Sequence, residues 1–397
     1  MNIAAKRRID TLPRISILPS EEEYAQARRQ SWVATSDRGF EVLTHDNGWA
    51  IMSSKEFDIG GGFGAILDLV GVTEGPYREE WNKQLVCHDD EKRDPMRAPF
   101  MKLLRPQSVA KLQGLVRDLI NGILDDIEDP SNVDFMEQIG NRLPTQLYCS
   151  LVSVPLKMAP EILRITEAIN PPILTLDRDR MPASEAAYWE GKALLKEHIE
   201  ARRGNLGDDF TSELLRLEDE GLIEPGNTIT FAMSLLIASM DNTMHQLGLT
   251  FGTLLEDRTR WEQVLARPTA APQAAEETFR LCPRFNIIAR HTSRPITVDD
   301  FTFPENSWIW ISTRSGGRDE SKFENADRFQ LGRPATRALQ FGAANYSCLG
   351  ATLARLEVSE TIRIIAERFP NVRMLGTWKP AVGPMVSECE ELKISLV

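Results

Sequence analysis

Long stretches of this chain carry apolar residues at three- and four-residue spacing, while alternating, strand-like runs are few and short. Val109, Leu112, Val116, Leu119, Ile120, Ile123 and Ile127 predict a strongly amphipathic helix over residues 108–127. The first 35 residues are polar and charged, with a short helix over Glu21–Gln30. More helix is expected from 135 to about 168, then a break at Pro171-Pro172, then a charged helix over 184–203. The longest helix opens at Asn227 or Thr228, either of which is able to cap it, and continues to about residue 256, roughly 40 Å at the standard rise. Near the C-terminus Leu349, Leu353, Leu356, Ile362 and Ile365 recur at helical spacing with Arg355, Glu357, Glu360 and Arg363 between them. Strand-like runs at 40–45 and 49–52 flank Asp46-Asn47-Gly48 and predict a hairpin about an Asn-Gly turn. The expected fold class is mainly α, a large helical domain with a smaller β-rich portion built from residues 40–53, 285–312 and the C-terminal tail. No internal repeat, low-complexity run or linker divides the chain, which predicts one domain over 1–397.

Composition narrows the function classes. Lys and Arg total 46 against 58 for Asp and Glu, a net charge of −12 that argues against a general nucleic-acid binder and suits a cytoplasmic protein. Five cysteines, at 87, 149, 282, 348 and 389, form no CxxC pair and no disulfide framework, so a reducing compartment is expected. Lys6-Arg7-Arg8 precedes polar sequence without the apolar core of a signal peptide, and no run reaches the roughly 18 apolar residues of a membrane span. The five histidines, at 45, 88, 198, 245 and 291, show no HxxxH pair, which disfavours a zinc hydrolase. Gly60-Gly61-Gly62-Phe63-Gly64 lacks the spacing of a phosphate-binding loop and reads as a flexible connection.

Candidate chemistry gathers at residues 341–350, Phe-Gly-Ala-Ala-Asn-Tyr-Ser-Cys-Leu-Gly. The pattern after it puts Cys348 at or just before a helix N-terminus. Unpaired N–H groups and the positive end of the helix dipole there favour a thiolate, the form that binds iron or attacks an electrophile. A buried, inert thiol is the ordinary alternative. Gly342 and Gly350 let the backbone lie close to something flat and bulky. Within the longest helix, Ala238-Ser239-Met240-Asp241-Asn242-Thr243 sets an acid and an amide among apolar turns, an expensive arrangement unless something polar faces it; a hydrogen-bonded kink is the plainer alternative. Glu277 and Arg280 stand at i, i+3 on another helical stretch, Arg93 and Arg97 at i, i+4, and Arg290 in an extended segment.

Taken together these segments resemble the cytochrome P450 family of haem-thiolate monooxygenases, in its soluble bacterial branch. The family's cysteine loop reads Phe-Gly-x-Gly-x-His-x-Cys-x-Gly. Phe341, Gly342, Cys348 and Gly350 match it, Leu353-Ala354-Arg355 follow in place, and Ala344 and Tyr346 replace a glycine and the histidine. The family's oxygen-binding helix carries Ala/Gly-Gly-x-Asp/Glu-Thr. Asp241 takes the acid position, Asn242 the threonine position and Ser239 that of the second small residue, with Thr243 next in line.

The resemblance implies a cytochrome P450 fold and a haem b cofactor ligated by Cys348. It implies propionate contacts from Arg97 and Arg290, with Arg93 or alternatively His88 reaching them and Tyr346 standing in for the histidine. Asp241, Asn242 and Thr243 become the catalytic set; an amide cannot swing a proton as a hydroxyl does, so Asn242 is expected to act with a bound water while Asp241 links to solvent. Glu277, Arg280 and Arg328 become a buried ion-pair network that props the cysteine loop. Phe63, Ile66, Met233, Ile237, Met240, Phe285, Ile287, Ile288 and Met385, with Pro384 and Val386, become walls of a pocket for a small, mostly apolar substrate. The chain carries no flavin or nicotinamide fingerprint and no cysteine cluster, so two electrons for dioxygen are expected from a separate ferredoxin and its reductase, with Lys92, Lys102, Arg105 and Lys111 as a local basic patch. The implied activity is hydroxylation or a related oxidation. Phenol coupling, desaturation or peroxide-driven chemistry is the first alternative, and a haem-binding relative without catalysis is the second.

Overall fold

A computed structural model describes residues 7–88, 92–334 and 337–397. Its organising element is the central helix Asn227–Leu255, of the length its apolar pattern predicts. Neither Asn227 nor Thr228 caps it. The helix starts after Gly226, which is left-handed at φ +85°, and Thr228 donates both its N–H and its hydroxyl to Glu218, the latter at 2.6 Å. From Gln246 to Leu255 every residue is buried, because helices Arg142–Leu151, Ala159–Leu174, Ala271–Leu281 and Ala351–Arg368 all pack against this rod. Gly252 admits a further neighbour from the C-terminal segment: a Cβ there would collide with the indole of Trp378.

Two sequence expectations fail in detail. The stretch 108–127 folds as two pieces, Pro106–Ala110 and Gln113–Asp125. Pro171 and Pro172 do not break their helix; they sit in the last turn of Ala159–Leu174, where their own carbonyls accept the N–H groups of Thr175 and Asp177 at 2.8 Å. The interruption follows them, and the next helix is Met181–Arg203.

The β-rich portion is a four-stranded sheet in the order Val33–Ser36, Gly39–Val42, Ser307–Ser312, Ile287–Thr292, with smaller two- and three-stranded sheets beside it. Its hairpin is not about Asn47-Gly48. Val33–Ser36 pairs antiparallel with Gly39–Val42 across Asp37-Arg38, and Gly39–Val42 then pairs parallel with Ser307–Ser312, Phe40 opposite Ile309. Both edges of that strand are thus used, and 45–53 turns instead into helix His45–Ser53, which lies on the sheet. Gly48 is the contact point, since a Cβ there would stand 2.7 Å from the side chain of Ile311. Gly60, Gly61 and Gly62 are all left-handed and lead into helix Phe63–Leu69. Among the described residues no helix is long and apolar enough to cross a membrane.

Candidate functional site

Cys348 lies two residues ahead of Gly350, which caps helix Ala351–Arg368. Its N–H donates to the carbonyl of Phe341 at 2.7 Å and closes the loop. Gly342 is left-handed at φ +63°, and a Cβ on it would press within 2.8 Å of the Tyr346 carbonyl. Phe341 is held between Phe279, edge-on at 5.4 Å, and the Arg355 guanidinium, 4.3 Å from its ring. Gly350 has ordinary helical φ, so no backbone demand fixes glycine there; the missing side chain instead leaves the cavity open beside the sulfur. The sulfur faces that cavity, and the surrounding protein still pushes the thiol up. Donation from the N–H groups of Gly350 and Ala351, and the charges of Arg355 and Arg97, oppose this without overcoming it. Dipole stabilisation of a free thiolate, expected from the sequence, is therefore outweighed by burial.

The cavity measures about 250 Å³ and is bounded by Cys348, by Ile237, Ala238 and Ser239 of the central helix, and by Arg93, Arg97 and Tyr346. Ala238 is exposed although its helix runs through the interior, because it looks into this space. Arg93 and Arg97 are buried on helix Arg93–Leu103, and Arg97 donates to the carbonyl and hydroxyl of Ser347 at 2.9 and 3.0 Å. Arg290 is 2% exposed. Its Nη atoms reach the carbonyls of Ala289 and Met52, and its Nε has no hydrogen-bond partner. Burial, only partly offset by Tyr346, draws the Arg290 guanidinium down to about 10. The Tyr346 ring lies between Arg93 and Arg290, 4.6 and 5.0 Å from their guanidinium carbons. Two cations thus flank one aromatic ring, and a third, Arg97, holds the next residue of the cysteine loop.

On the central helix the acid is spoken for. Asp241 is buried, receives Arg284 Nη2 at 2.6 Å, and stands 3.6 Å from His245 Nε2. Arg284 continues to Glu388 at 3.1 Å, and burial together with the Arg284 charge pushes the His245 imidazole down. Asp241 therefore does not link directly to solvent as the sequence suggested, since a full ion pair occupies it. Asn242 Nδ2 bonds back to the Ala238 carbonyl at 3.0 Å while its Oδ1 is buried without a partner. Thr243 is buried and is not among the residues that line the cavity.

Glu277 and Arg280 form the predicted pair, bidentate at 2.7 and 2.8 Å. The third charge is not Arg328, whose side chain is exposed and whose carbonyl alone accepts from Arg280 at 3.1 Å. Arg333 takes that place, 3.2 Å from Glu277, and it stacks with Arg280 on Phe323.

Of the expected pocket residues, only Ile237 lines the cavity. Phe63 stacks on Trp81 from the far side at 5.2 Å, and Ile66 packs into the helical core. Met233 is pressed against Gly191, and Met240 receives the Thr166 hydroxyl, so both face neighbouring helices. Ile287 and Ile288 are taken up by pairing with Ser312 and Ile311, Phe285 bridges to Val386, and the Met385 carbonyl accepts Asn286 N–H. Trp81, Gln84, Leu85, Phe100 and Ser234 supply the wall instead. No periodicity marks Gln84, Ser234, Arg284 or Arg333 in the sequence; each is fixed by contacts between distant segments.

The family profile described as Cytochrome P450 matches residues 269–373. The chain is 27% identical over 366 residues to luteothin monooxygenase of Streptomyces thioluteus, covering 91% of this chain and 89% of that protein. It is 24% identical over 294 residues to mycinamicin IV hydroxylase/epoxidase of Micromonospora griseorubida, covering 73% of each. CalO2 has the same fold, with a TM-score of 0.86 at 19% identity over 95% of both chains. P450BioI, solved with a fatty-acid-ligated acyl carrier protein, gives 0.84 at 18% identity over 94% of this chain and 98% of that one. The matched segment and the fold are those of the cytochrome P450 family. That family carries a thiolate-ligated haem, and the residues of this chain fit one. A cysteine sulfur faces the cavity, and Arg97 and Arg290 are buried cations that pair with no carboxylate among the described residues. The unpartnered Arg290 Nε is the group a propionate would satisfy.

Proposed function

We propose that this cytochrome P450 is a monooxygenase that hydroxylates or otherwise oxidises a small, mostly apolar organic molecule, using dioxygen and two electrons from a separate ferredoxin and its reductase. The observation that carries the reading is the sharing of one cavity by the Cys348 sulfur, the exposed Ala238 of the central helix and the buried guanidinium groups of Arg93 and Arg97. Haem b, held by Cys348, supplies oxygen activation, because thiolate ligation favours O–O cleavage. Arg97 and Arg290, with Arg93 and Tyr346, hold its carboxylates. Phe341 and Gly342 fix the loop that presents the sulfur.

Trp81, Leu85, Phe100 and Ile237 exclude water from the reacting face. Asn242 stands behind the exposed Ala238, to whose carbonyl its amide nitrogen is committed, and its partnerless buried Oδ1 is the group that would hold a water. Asp241, paired with Arg284 and 3.6 Å from His245, is held at a fixed place on the central helix. The hydroxylase and monooxygenase names of the relatives support oxygen insertion. The enzyme works in the cytoplasm as one domain over 1–397. Lys102 is paired with Glu213 at 2.7 Å, so the basic patch contributes to ferredoxin docking with one charge partly neutralised.

Turnover under heavy-isotope dioxygen tests the proposal. One labelled oxygen atom in the product is expected. A product without label would assign the protein to desaturation or coupling, the reading that the missing hydroxyl at position 242 favours.

A further inference from the structure

Besides the arginines and the cysteine-loop residues, the wall of the Cys348 cavity carries a second polar group at one corner, where Gln84 and Ser234 meet among Trp81, Leu85, Phe100 and Ile237. The hydrogen bonds behind that corner run in a fixed direction. They begin at Glu80, 6% exposed, whose two oxygens take Lys83 and Lys192 at 2.5 Å each. Burial pushes the Glu80 carboxyl up, but the two ammonium groups outweigh it and hold it below its ordinary value. An ionised carboxylate only accepts. Tyr188, fully buried, keeps its proton because burial and the Glu80 charge both raise its phenol, and it donates to Glu80 at 3.5 Å. Its oxygen is then left to accept Gln84 Nε2 at 3.3 Å, which turns Gln84 Oε1 toward Ser234.

Ser234 has two partners, Gln84 Oε1 and the Thr230 carbonyl, and both are acceptors. Its single proton is therefore used within the protein, and its oxygen faces the cavity as an acceptor. Gln84 keeps one amide hydrogen uncommitted. The corner offers one acceptor and one donor side by side, and a hydroxyl group is the function that answers both.

Resting on the monooxygenase reading, we infer that the substrate is an apolar skeleton bearing a hydroxyl group, anchored by donating to Ser234 Oγ and accepting from Gln84 Nε2. Glu80 and Tyr188 act as positioning residues that hold the amide in the recognising orientation. Ketones and ethers satisfy only Gln84, and hydrocarbons neither, so the anchor discriminates by leaving its polar groups unpaired.

The test is calorimetric titration of the haem-loaded protein with cyclohexanol, borneol, decahydro-2-naphthol and androstanol, each beside its parent hydrocarbon and its methyl ether. In at least one ring system the alcohol is expected to bind about tenfold or more tightly than both counterparts. Ser234→Ala and Gln84→Leu are expected to cut that preference below about threefold, and Tyr188→Phe to weaken it without touching the wall. Equal binding of alcohol and hydrocarbon in every ring system would overturn the inference, as would a preference that survives both wall substitutions. A carbon monoxide spectrum of the same preparation separates the two levels: absence of a thiolate-type band defeats the monooxygenase reading, whereas calorimetry judges the anchor alone.

Discussion

Arg280 and Arg284 stand four residues apart, and each closes on a buried carboxylate of different consequence: Glu277 beneath the cysteine loop, Asp241 on the central helix. Removing one partner of such a pair strands a charge, whereas removing both does not. Arg284→Leu is therefore expected to lower stability by about 3 kcal/mol, and Asp241→Asn placed beside it to recover most of the loss; urea unfolding of the two variants measures both. Glu277 keeps a second cation, Arg333, so Arg333→Ala is the milder change of the proximal pair. For Asn242, the expected outcome of Asn242→Ala is less product per electron consumed and more peroxide, with substrate affinity retained, because the group lost is the one that positions water. Unchanged coupling would remove Asn242 from proton delivery.

Helix Ala351–Arg368 carries its own titration behind the cysteine. Glu357 is buried, its Oε2 has no partner, and burial lifts its carboxyl from 4.5 to about 8. Between those values the folded chain holds a proton that the unfolded chain has released, so stability falls as pH rises and levels off above pH 8. Glu357→Gln removes the penalty and is expected to add about 3 kcal/mol at pH 7 and little at pH 4, read from unfolding midpoints at pH 4, 7 and 9. What was legible at this scale follows from range. The central helix and the cysteine helix announce themselves by local periodicity, and the motif residues Phe341, Gly342 and Cys348 lie within ten positions. The Asn47-Gly48 turn misled because the competing signal, parallel pairing with Ser307–Ser312, comes from more than 250 residues away. Arg328 and Arg333 lie five residues apart in one stretch, and only the folded chain tells which guanidinium returns to Glu277. The pocket walls were least legible, since apolar residues such as Met233 and Met240 have the same character whether they face a cavity or a neighbouring helix.

Across the whole molecule the helical portion supplies one wall of the cavity, the cysteine loop supplies the other, and the sheet carries Arg290 in beside Tyr346 through its pairing with Ile309. Two features there call for a common partner: a cysteine sulfur that faces the cavity, and the buried guanidinium groups of Arg97 and Arg290, which pair with no carboxylate among the described residues. A single iron porphyrin answers both, and that is the central claim. The direct measurement is the absorption spectrum of the purified, dithionite-reduced protein under carbon monoxide, taken for the wild type and for Cys348→His. The wild type is expected to show the long-wavelength band of a thiolate-ligated haem and the variant to lose it. A histidine-type band in the wild type, or protein that holds no pigment when haem is supplied, would contradict the account.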